Sequence, residues 1–397
     1  IAKNLGVEEG RFFIMREVVI VEGVRTPVGR RKGLLKDYRP DDLAGEVLKE
    51  LVKRAAVDAG LVEDVILGCV TQSGEQAGDI ARVAALIAGF PIEVPGTTLD
   101  RQCGSSQQAV HFAAQAILSG DMDVVIAGGV ENMTRVPMGS NYQKAPFSDR
   151  LQEKYEIINQ GLSAERIAEK YGFTREELDT FSYESHQKAL RAQAEGYFTK
   201  EIMPIEVTLE DGSTFLMKED SGPRKETSVE ALGGLKTVFK EDGVIHAGNA
   251  SQISDGAAAL LLMTKEKALE LGLKPRFKVH TRVVVGSDPT LMLTGPIPAT
   301  EKVLQKSGLS IDDIDVFEVN EAFASVPMAW LKETGADPAK LNPNGGAIAL
   351  GHPLGASGAR LMISMMHELE RTGGRYGLQT MCEGHGMANA TIIERLD

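Results

Sequence analysis

Two distant stretches of the chain share the same order of local features. Each begins with a turn rich in Gly and Ser, continues into an apolar helix, and ends in an apolar strand and a Gly-containing turn. The first is CGSSQQAVHFAAQAILSGDMDVVIAGGVENM at 103–133, and the second is GHPLGASGARLMISMMHELERTGGRYGLQTMCEGHGMAN at 351–389. Such self-similarity predicts a duplicated fold whose equivalent loops meet at one site. The similarity lies in pattern more than in identity, so a chance likeness between two α/β segments is the alternative.

Short β-branched runs alternate with amphipathic helical segments along the chain. This alternation is typical of an α/β protein, in which helices cover a mostly parallel sheet. At 397 residues the chain is longer than one hydrophobic core usually accommodates, which favours two or more domains. The main predicted strands span 18–23, 63–70, 123–129 and 315–320, and the main predicted helices span 41–60, 105–120 and 358–373.

The middle of the chain differs in character from the two repeated stretches. Charged helical segments follow residue 134, and the polar stretch TLEDGSTFLMKEDSGPRKETSVEALGG follows them, which predicts an inserted subdomain. The first fourteen residues precede Met15 and an apolar strand, and are either an upstream extension or a ragged terminus. The predicted division is an N-terminal extension at 1–14, an N-terminal half at 15–133 and 251–280, an insertion at 134–250 and a C-terminal half at 281–397.

Charge and cysteine usage exclude several classes of protein. The formal net charge of −13 argues against a nucleic-acid partner, because phosphate binding relies on clustered Lys and Arg. No uncharged apolar run approaches the roughly 20 residues that span a bilayer, so we predict a soluble, cytoplasmic protein without a membrane span. The three cysteines, Cys69, Cys103 and Cys382, have neither disulfide nor zinc-ligand spacing. Reduced thiols and no metal site are therefore expected.

Cys103 stands where a predicted strand ends and Gly104, Ser105 and Ser106 open an apolar helix. At a helix N-terminus, unpaired amides and the positive end of the dipole lower the pKa of a thiol and favour the reactive thiolate. The same amides can bind an oxyanion. The sequence thus makes Cys103 a candidate nucleophile, although a cysteine before Gly-Ser is by itself more often a buried structural residue.

His352 is the one ionisable ring in a run of small residues, NPNGGAIALGHPLGASGAR. Glycines at this density indicate that backbone approaches a ligand closely, with the imidazole held toward it. A histidine in that position can take the thiol proton and return it. A satisfied structural histidine is the alternative.

Two further polar positions follow apolar strands. Cys382 lies in the repeat-related loop LQTMCEGHGMANATI, which suggests an acid/base role opposite the nucleophile, whereas Cys69 inside VILGCV is most simply a core residue. Asn320 and Glu321 end a strand at the edge where α/β sheets place ligands. This pair is equally well explained as a helix cap.

Five blocks carry a family resemblance: CGSSQQA, AGNASQISDGAAA, NEAFA, NPNGGAIALGHPLGASGAR and MCEGHGMANA. In this order, from about residue 16 to the C-terminus, they resemble the signature blocks of the thiolase family. The resemblance implies a thiolase-like duplicated α/β fold, layered αβαβα, with two five-stranded mixed sheets and an inserted loop domain. It also implies an acyltransferase that acts on acyl-CoA substrates, has no permanently bound cofactor, and forms a homodimer or homotetramer.

The resemblance further implies a role for each candidate residue. Cys103 is expected to attack a 3-ketoacyl-CoA, His352 to activate it, and Cys382 to exchange the proton at the acetyl α-carbon. Asn320 is expected to hold a water in one oxyanion site, and the amides of Cys103 and Gly384 to form another. For the coenzyme and acyl chain, family similarity indicates Arg224 near adenine and phosphates, Ser251 near pantetheine, and Met292 and Phe323 at the acyl pocket. The alternative interpretation of Arg224 is a solvated loop charge.

Two departures from the family pattern bear on the substrate. His385 replaces a glycine that is common in the last block, and its role is open. The chain also has Asn159 and Gln160 at the positions where the resemblance associates a His-Met pair with acetoacetyl-specific biosynthetic thiolases. We therefore expect a degradative 3-ketoacyl-CoA thiolase of β-oxidation. The alternatives are a biosynthetic acetoacetyl-CoA thiolase and, in another class, a non-catalytic lipid-binding thiolase-like protein.

Overall fold

The computed structural model describes residues 16–143 and 145–397, so the predicted extension at 1–14 lies outside the described residues. Its strands are β1 Val18–Arg25, β2 Gly29–Arg30, β3 Asp64–Gly68, β4 Gly96–Leu99, β5 Val124–Asn132, β6 Ile205–Thr208, β7 Thr214–Met217, β8 Ser254–Thr264, β9 Phe277–Gly286, β10 Val316–Val319, β11 Tyr376–Glu383 and β12 Met387–Arg395. Its helices are α1 Pro40–Ala55, α2 Ile80–Ile87, α3 Ser105–Ser119, α4 Asp149–Gln152, α5 Gln160–Tyr171, α6 Arg175–Ala194, α7 Val229–Gly233, α8 Lys265–Glu270, α9 Pro296–Ser307, α10 Ser325–Thr334, α11 Ala347–Leu350 and α12 Leu354–Thr372.

In the described residues, ten strands are hydrogen-bonded into one continuous mixed sheet, and β6 and β7 form a separate hairpin. A short seam between β1 and β9 divides the large sheet into two parts, called here the first and the second sheet. The first runs β4-β3-β5-β8-β1, with β4, β3 and β5 parallel and β8 antiparallel to both β5 and β1. The second runs β9-β12-β11-β10, with β10 parallel to β11. At the seam, β1 pairs with β9 through Val19 and Ile20 alone. The mixed sheets are as expected, but the second has four strands, with an isolated bridge between Phe317 and Leu341 at its edge.

Helices α3 and α12 lie between the two sheets. Their apolar faces share one buried cluster with residues of both sheets, such as Val125 of β5 and Val316 of β10. Helices α1 and α2 cover the outer face of the first sheet, and α9 and α10 cover that of the second. The predicted αβαβα layering is therefore confirmed. It brings the first turns of α3 and α12 to the same region.

The insertion between β5 and β8 contains α4 to α7 and the β6-β7 hairpin. It is tied to β1 by the fully buried Arg25, whose guanidinium binds Glu201 at 2.6 Å and Asp220 at 2.7 and 2.9 Å. The predicted boundary after residue 280 falls within β9. None of the helices in residues 16–143 and 145–397 combines the length and apolar character needed to cross a bilayer.

Candidate active site

Cys103 lies immediately before Gly104, the residue that caps the N-terminus of α3. The preceding Gln102 has a φ of 49°, so the chain turns sharply to present the thiol. The side chain is only 6% exposed and packs in an apolar cluster that includes Leu354 and Met381. The thiol therefore stands at the helix end predicted for it, in a largely dry environment.

This burial overturns one expectation about Cys103. A helix N-terminus was expected to lower the pKa of the thiol, yet burial raises that pKa well above its usual value. The neighbouring Cys382 and Glu383 raise it further. A charge in an apolar cluster loses its hydration, and a helix dipole supplies only a fraction of a kcal/mol to about 2 kcal/mol in return. Cys103 is thus a neutral thiol at rest, and it would need a base in order to act as a nucleophile.

The environment of His352 indicates which ring nitrogen is free to act as that base. Its Nδ1 lies 2.6 Å from Ser357 Oγ, and Ser357 Oγ lies 2.8 Å from the carbonyl oxygen of Pro353. Because that carbonyl can only accept, the hydroxyl donates its single proton there and accepts from Nδ1–H. Nε2 therefore carries a lone pair. Burial, aided by the charge of Arg360, lowers the pKa of His352 to about 3, which keeps the ring neutral.

Asn320 connects the histidine to the second thiol. It follows β10, and its side-chain Nδ2 is 3.5 Å from His352 Nε2. The same side chain hydrogen-bonds Cys382 on the neighbouring strand β11. Burial raises the pKa of Cys382 to about 12, an effect that this hydrogen bond opposes. The structure thus brings Cys103, His352, Asn320 and Cys382 to one site, where both thiols are protonated at rest.

Of the four residues predicted to contact the coenzyme and acyl chain, two share an apolar cluster with Cys382. Met292 and Phe323 are buried in one apolar cluster with Cys382. The Ser251 amide donates to the carbonyl of Ala322 at 2.9 Å, beside the same cluster. Arg224 is exposed, and its amide donates to His186 Nδ1 at 3.2 Å.

The turn between β11 and β12 carries the two remaining predicted positions. A Cβ at Gly384 would lie 3.0 Å from Gln102 Oε1, so this residue faces the turn that presents Cys103. His385 is exposed, adopts a φ of 64°, and makes an edge contact with Phe147 of the insertion at 5.4 Å. A glycine would adopt this backbone without strain, whereas histidine does so at a small cost.

Comparison with known proteins agrees with this geometry. Residues 18–266 match the family described as thiolase, N-terminal domain, and residues 273–395 match thiolase, C-terminal domain. The chain belongs to the thiolase family. This thiolase is 51% identical to a steroid 3-ketoacyl-CoA thiolase, FadA6, of Mycobacterium tuberculosis, over 98% of this chain and 96% of that one.

Other relatives of this thiolase differ in their named substrates. It is 44% identical to a 3-oxoadipyl-CoA/3-oxo-5,6-dehydrosuberyl-CoA thiolase of Escherichia coli, over 96% of this chain and 100% of that one. It is 43% identical to a 3-ketoacyl-CoA thiolase of Bacillus subtilis, with the same coverage. The crystal structure of the Bacillus anthracis acetyl-CoA acetyltransferase superposes with a TM-score of 0.89, at 42% identity over 96% of this chain and 99% of that one.

Sequence reasoning missed two buried carboxylates that support the site. Glu321, interpreted as half of a possible helix cap, instead binds Ser185 Oγ at 2.7 Å and Asn342 Nδ2 at 2.9 Å, and so holds the loop that leads to His352. Glu131 accepts from the amide of Gly355 in the first turn of α12 at 2.9 Å. Glu321 follows an apolar strand and Glu131 lies near the end of another. This placement is the signal by which the sequence could have identified them.

Proposed function

We propose that this thiolase catalyses the CoA-dependent cleavage of 3-ketoacyl-CoA into acetyl-CoA and an acyl-CoA two carbons shorter. The observation that carries the proposal is the grouping of Asn320 with Cys382 and with a neutral His352 whose Nε2 carries a lone pair, together with the proximity of Cys103 to Cys382. These groups suit an acyl-enzyme reaction in two steps, with one thiol as nucleophile and another as acid. The reverse direction is a Claisen condensation of two acyl-CoA molecules.

In the first step, the sulfur of Cys103 attacks the C3 carbonyl while His352 Nε2 takes the thiol proton. The C2–C3 bond breaks, and its electron pair stays on the acetyl-CoA enolate. Cys382 donates a proton to that carbon, for which a thiol with a pKa of about 12 is suited, because it is protonated at rest. In the second step, the thiol of free CoA gives its proton to the Cys382 thiolate and attacks the acyl-Cys103 thioester. The shortened acyl-CoA leaves, and the sulfur of Cys103 takes back its proton from His352.

Negative charge develops on two carbonyl oxygens during these steps. We propose that the backbone amides of Cys103 and Gly384 bind the oxygen of the attacked carbonyl. These two residues lie on neighbouring turns, and the side chain of Gln102 lies between the turns. The oxygen of the acetyl thioester is assigned to His352 and to a water held by Asn320. Donors fixed by the fold, in a site that excludes most solvent, stabilise such charge strongly.

The coenzyme is proposed to lie along the insertion. Ser251 is placed beside its pantetheine arm and Arg224 beside its adenine and phosphates, and the exposure of Arg224 is compatible with contact to a solvent-facing ligand. Met292 and Phe323 are proposed to line the acyl pocket, because their apolar cluster reaches Cys382. No permanently bound cofactor takes part in this scheme.

Mass spectrometry after mixing the protein with acetyl-CoA tests the proposed nucleophile. We expect one acetyl group on Cys103 in the wild type and none in Cys103→Ser. Acetylation should be unchanged in Cys69→Ala, because Cys69 is a buried core residue directly after β3. An unmodified Cys103 in the folded wild-type protein would support the non-catalytic lipid-binding alternative and overturn the proposal.

A biosynthetic acetoacetyl-CoA thiolase is the second candidate, favoured by the close superposition with an acetyl-CoA acetyltransferase. The degradative interpretation began from Asn159, and in the structure Asn159 caps α5 by accepting from the amide of Gly161 at 2.8 Å. Thiolysis rates on acetoacetyl-CoA and on a longer 3-ketoacyl-CoA separate the two. Activity confined to the four-carbon substrate would favour the biosynthetic candidate.

A further inference from the structure

Glu383 is a buried carboxyl that the proposed mechanism does not use. It follows Cys382 at the end of β11 and is fully buried. Its Oε1 lies against Gly104, where any Cβ would collide with it. Neither of its oxygens has a hydrogen-bond partner among the described residues. A carboxyl group therefore stands unpaired beside the turn that carries the candidate nucleophile.

The internal repeat provides a comparison for this carboxyl. Glu131 is the second-to-last residue of β5 and Glu383 is the last residue of β11. Each lies against a glycine at the start of a helix from the other half: Glu131 against Gly355 in the first turn of α12, and Glu383 against Gly104, which caps α3. Glu131 is saturated: it accepts from the amides of Val70, Thr71 and Gly355 and from the side chain of Gln76, at 2.8 to 3.0 Å. Burial raises the pKa of Glu131 as well, but its four donors oppose that rise, and Glu383 has no such donors.

The hydrogen bonds around Gly104 bear on the charge of Glu383. Asn389 donates through Nδ2 to the carbonyl of Gly104 at 3.2 Å, and a Cβ at Gly104 would lie 2.9 Å from that nitrogen. Its Oδ1 is also buried without a partner. Both oxygens of Glu383 and Oδ1 of Asn389 are thus without a hydrogen-bond donor among the described residues, and the donor nearest to Gly104, Asn389 Nδ2, binds the carbonyl of that glycine instead. Burying an ionised carboxylate without a hydrogen-bond partner costs far more free energy than burying a neutral carboxylic acid, so burial favours the protonated form of Glu383.

We propose that Glu383 is a positioning residue that works as a neutral acid. Its protonated carboxyl fills the space beside Gly104 and holds the turn that carries Cys103, without adding a negative charge next to a sulfur that must give up its proton. The inference rests on the proposed role of Cys103 as nucleophile. When Glu383 loses its proton to solvent, its charge opposes the thiolate and acylation slows.

The groups around Glu383 determine the pH at which it loses its proton. On the segment before α3 they are Asp100, Arg101 and Cys103, and on its own strand and turn they are Cys382 and His385. Strand β12 contributes the uncharged Met387 and Asn389. The exposed Asp288, after β9, lies near the turn only through its backbone carbonyl, beside Gly386. Burial raises the pKa of Glu383 to about 8, Arg101 opposes the rise, and Asp100 adds to it. Acylation of Cys103 should therefore decline above pH 8.

The test is the pH dependence of Cys103 acetylation by acetyl-CoA, followed in a single turnover by mass spectrometry. In the wild type, we expect the rate to fall about tenfold between pH 7 and pH 9, because a group with a pKa near 8 is then about nine-tenths ionised. Glu383→Gln mimics the protonated acid. It should acetylate within about threefold of the wild-type rate at pH 7 and lose the alkaline decline.

Glu131→Gln is the matched control, since it changes the repeat-related carboxyl. It should retain the alkaline decline, although it weakens the hydrogen bonds that hold α12. An unchanged decline in Glu383→Gln, or its disappearance in Glu131→Gln, would overturn the inference. A merely structural role for Glu383 would lower the rate at every pH without changing the profile.

Infrared spectroscopy provides a measurement that needs neither a folded Glu383 variant nor an active Cys103. The measurement uses Glu318→Gln, because Glu318 is another buried carboxyl with a pKa of about 8. In this variant, the carbonyl stretching band of the protonated Glu383 should be present at pH 7 and vanish by pH 9. Absence of the band at pH 7 would refute a neutral Glu383. If the band titrates but Cys103 is never acetylated, the proposed function fails while the protonation of Glu383 stands.

Discussion

At the residue scale, both partners in the proposed proton transfer are neutral before the reaction. Burial holds the pKa of Cys103 well above its usual value and that of His352 near 3, so an ion pair between them is disfavoured at rest. The proton must therefore move as the carbon–sulfur bond forms. The orientation of the imidazole then matters more than its basicity in solution, and Ser357 is the residue that sets it.

Ser357→Ala tests this dependence. Without Ser357 Oγ to accept from Nδ1–H, His352 no longer favours the tautomer in which Nε2 carries the lone pair. We expect kcat for thiolysis to fall by roughly 10²-fold, the lower end of what a positioned general base contributes. Ser364→Ala, on the same helix and also buried, is the control and should leave kcat unchanged, since its hydroxyl binds Glu201 instead. Equal rates for wild type and Ser357→Ala would contradict the assignment of the tautomer.

Cys382→Ser separates the two thiols. We expect acetylation of Cys103 to stay within about tenfold of wild type, whereas deuterium exchange at the acetyl α-carbon falls by at least about 10²-fold, the usual contribution of a positioned acid or base. Nuclear magnetic resonance of acetyl-CoA in D₂O measures the exchange. Loss of both reactions to the same extent in a folded variant would argue against separate roles.

At the element scale, the site depends on how closely α3 and α12 pack between the sheets. Gly358 of α12 lies against the backbone of Gln107 in α3, and a Cβ at Gly358 would be only 2.8 Å from Gln107 Cβ. This contact is backbone to backbone, so neither helix can relieve it by changing a rotamer. The close approach lets the first turns of both helices, with Cys103 and His352 just before them, reach the same cavity.

Gly358→Ala should therefore lower the free energy of unfolding by about 1–3 kcal/mol, the usual cost of overpacking a core. Gly233→Ala is the matched control, because Gly233 also lies in a helix but has no atom within 4 Å of the added Cβ. We expect it to be neutral or stabilising by up to about 1 kcal/mol. Urea denaturation measures both, and a Gly358→Ala protein as stable as wild type would contradict the tight interface.

At the scale of the whole molecule, the insertion is joined to the core by one buried ion pair network. Arg25 of β1 binds Glu201 and Asp220 of the insertion, and Asp220 also accepts from the amide of Val28 at 2.7 Å. Asp220 precedes the segment that carries Arg224. The network thus connects the stability of the core to the position of the proposed coenzyme contacts. The predicted homodimer or homotetramer stays a prediction.

Asp220→Ala should cost about 3–5 kcal/mol of unfolding free energy, because it leaves a buried guanidinium without its bidentate partner. We also expect the KM for CoA to rise. Glu210→Ala is the control: its ion pair with Lys36 also joins the insertion to the N-terminal half, but it is exposed, so no measurable change is expected. Similar unfolding curves for the two variants would contradict the importance of burial.

The sequence by itself determined the order of elements and the identity of the central site. Predicted strands at 18–23 and 123–129 correspond to β1 and β5, and the predicted helix at 105–120 corresponds to α3, because periodicity of apolar residues is a local signal. The repeat correctly predicted that the two turns meet. Family blocks placed Cys103, His352, Asn320 and Cys382 in one site, although their chemical roles stay predictions.

Only the tertiary structure decided how these residues are charged. The sequence predicted a lowered pKa for Cys103 from the helix end, but burial dominates, and burial depends on residues such as Leu354 and Met381 that are distant in the chain. Likewise, Glu131 and Glu383 are alike in sequence context, and only the donors around each distinguish a saturated carboxylate from an unpaired one. Charge in a protein interior is determined by solvent exclusion and hydrogen bonding, and both come from contacts that no local pattern encodes.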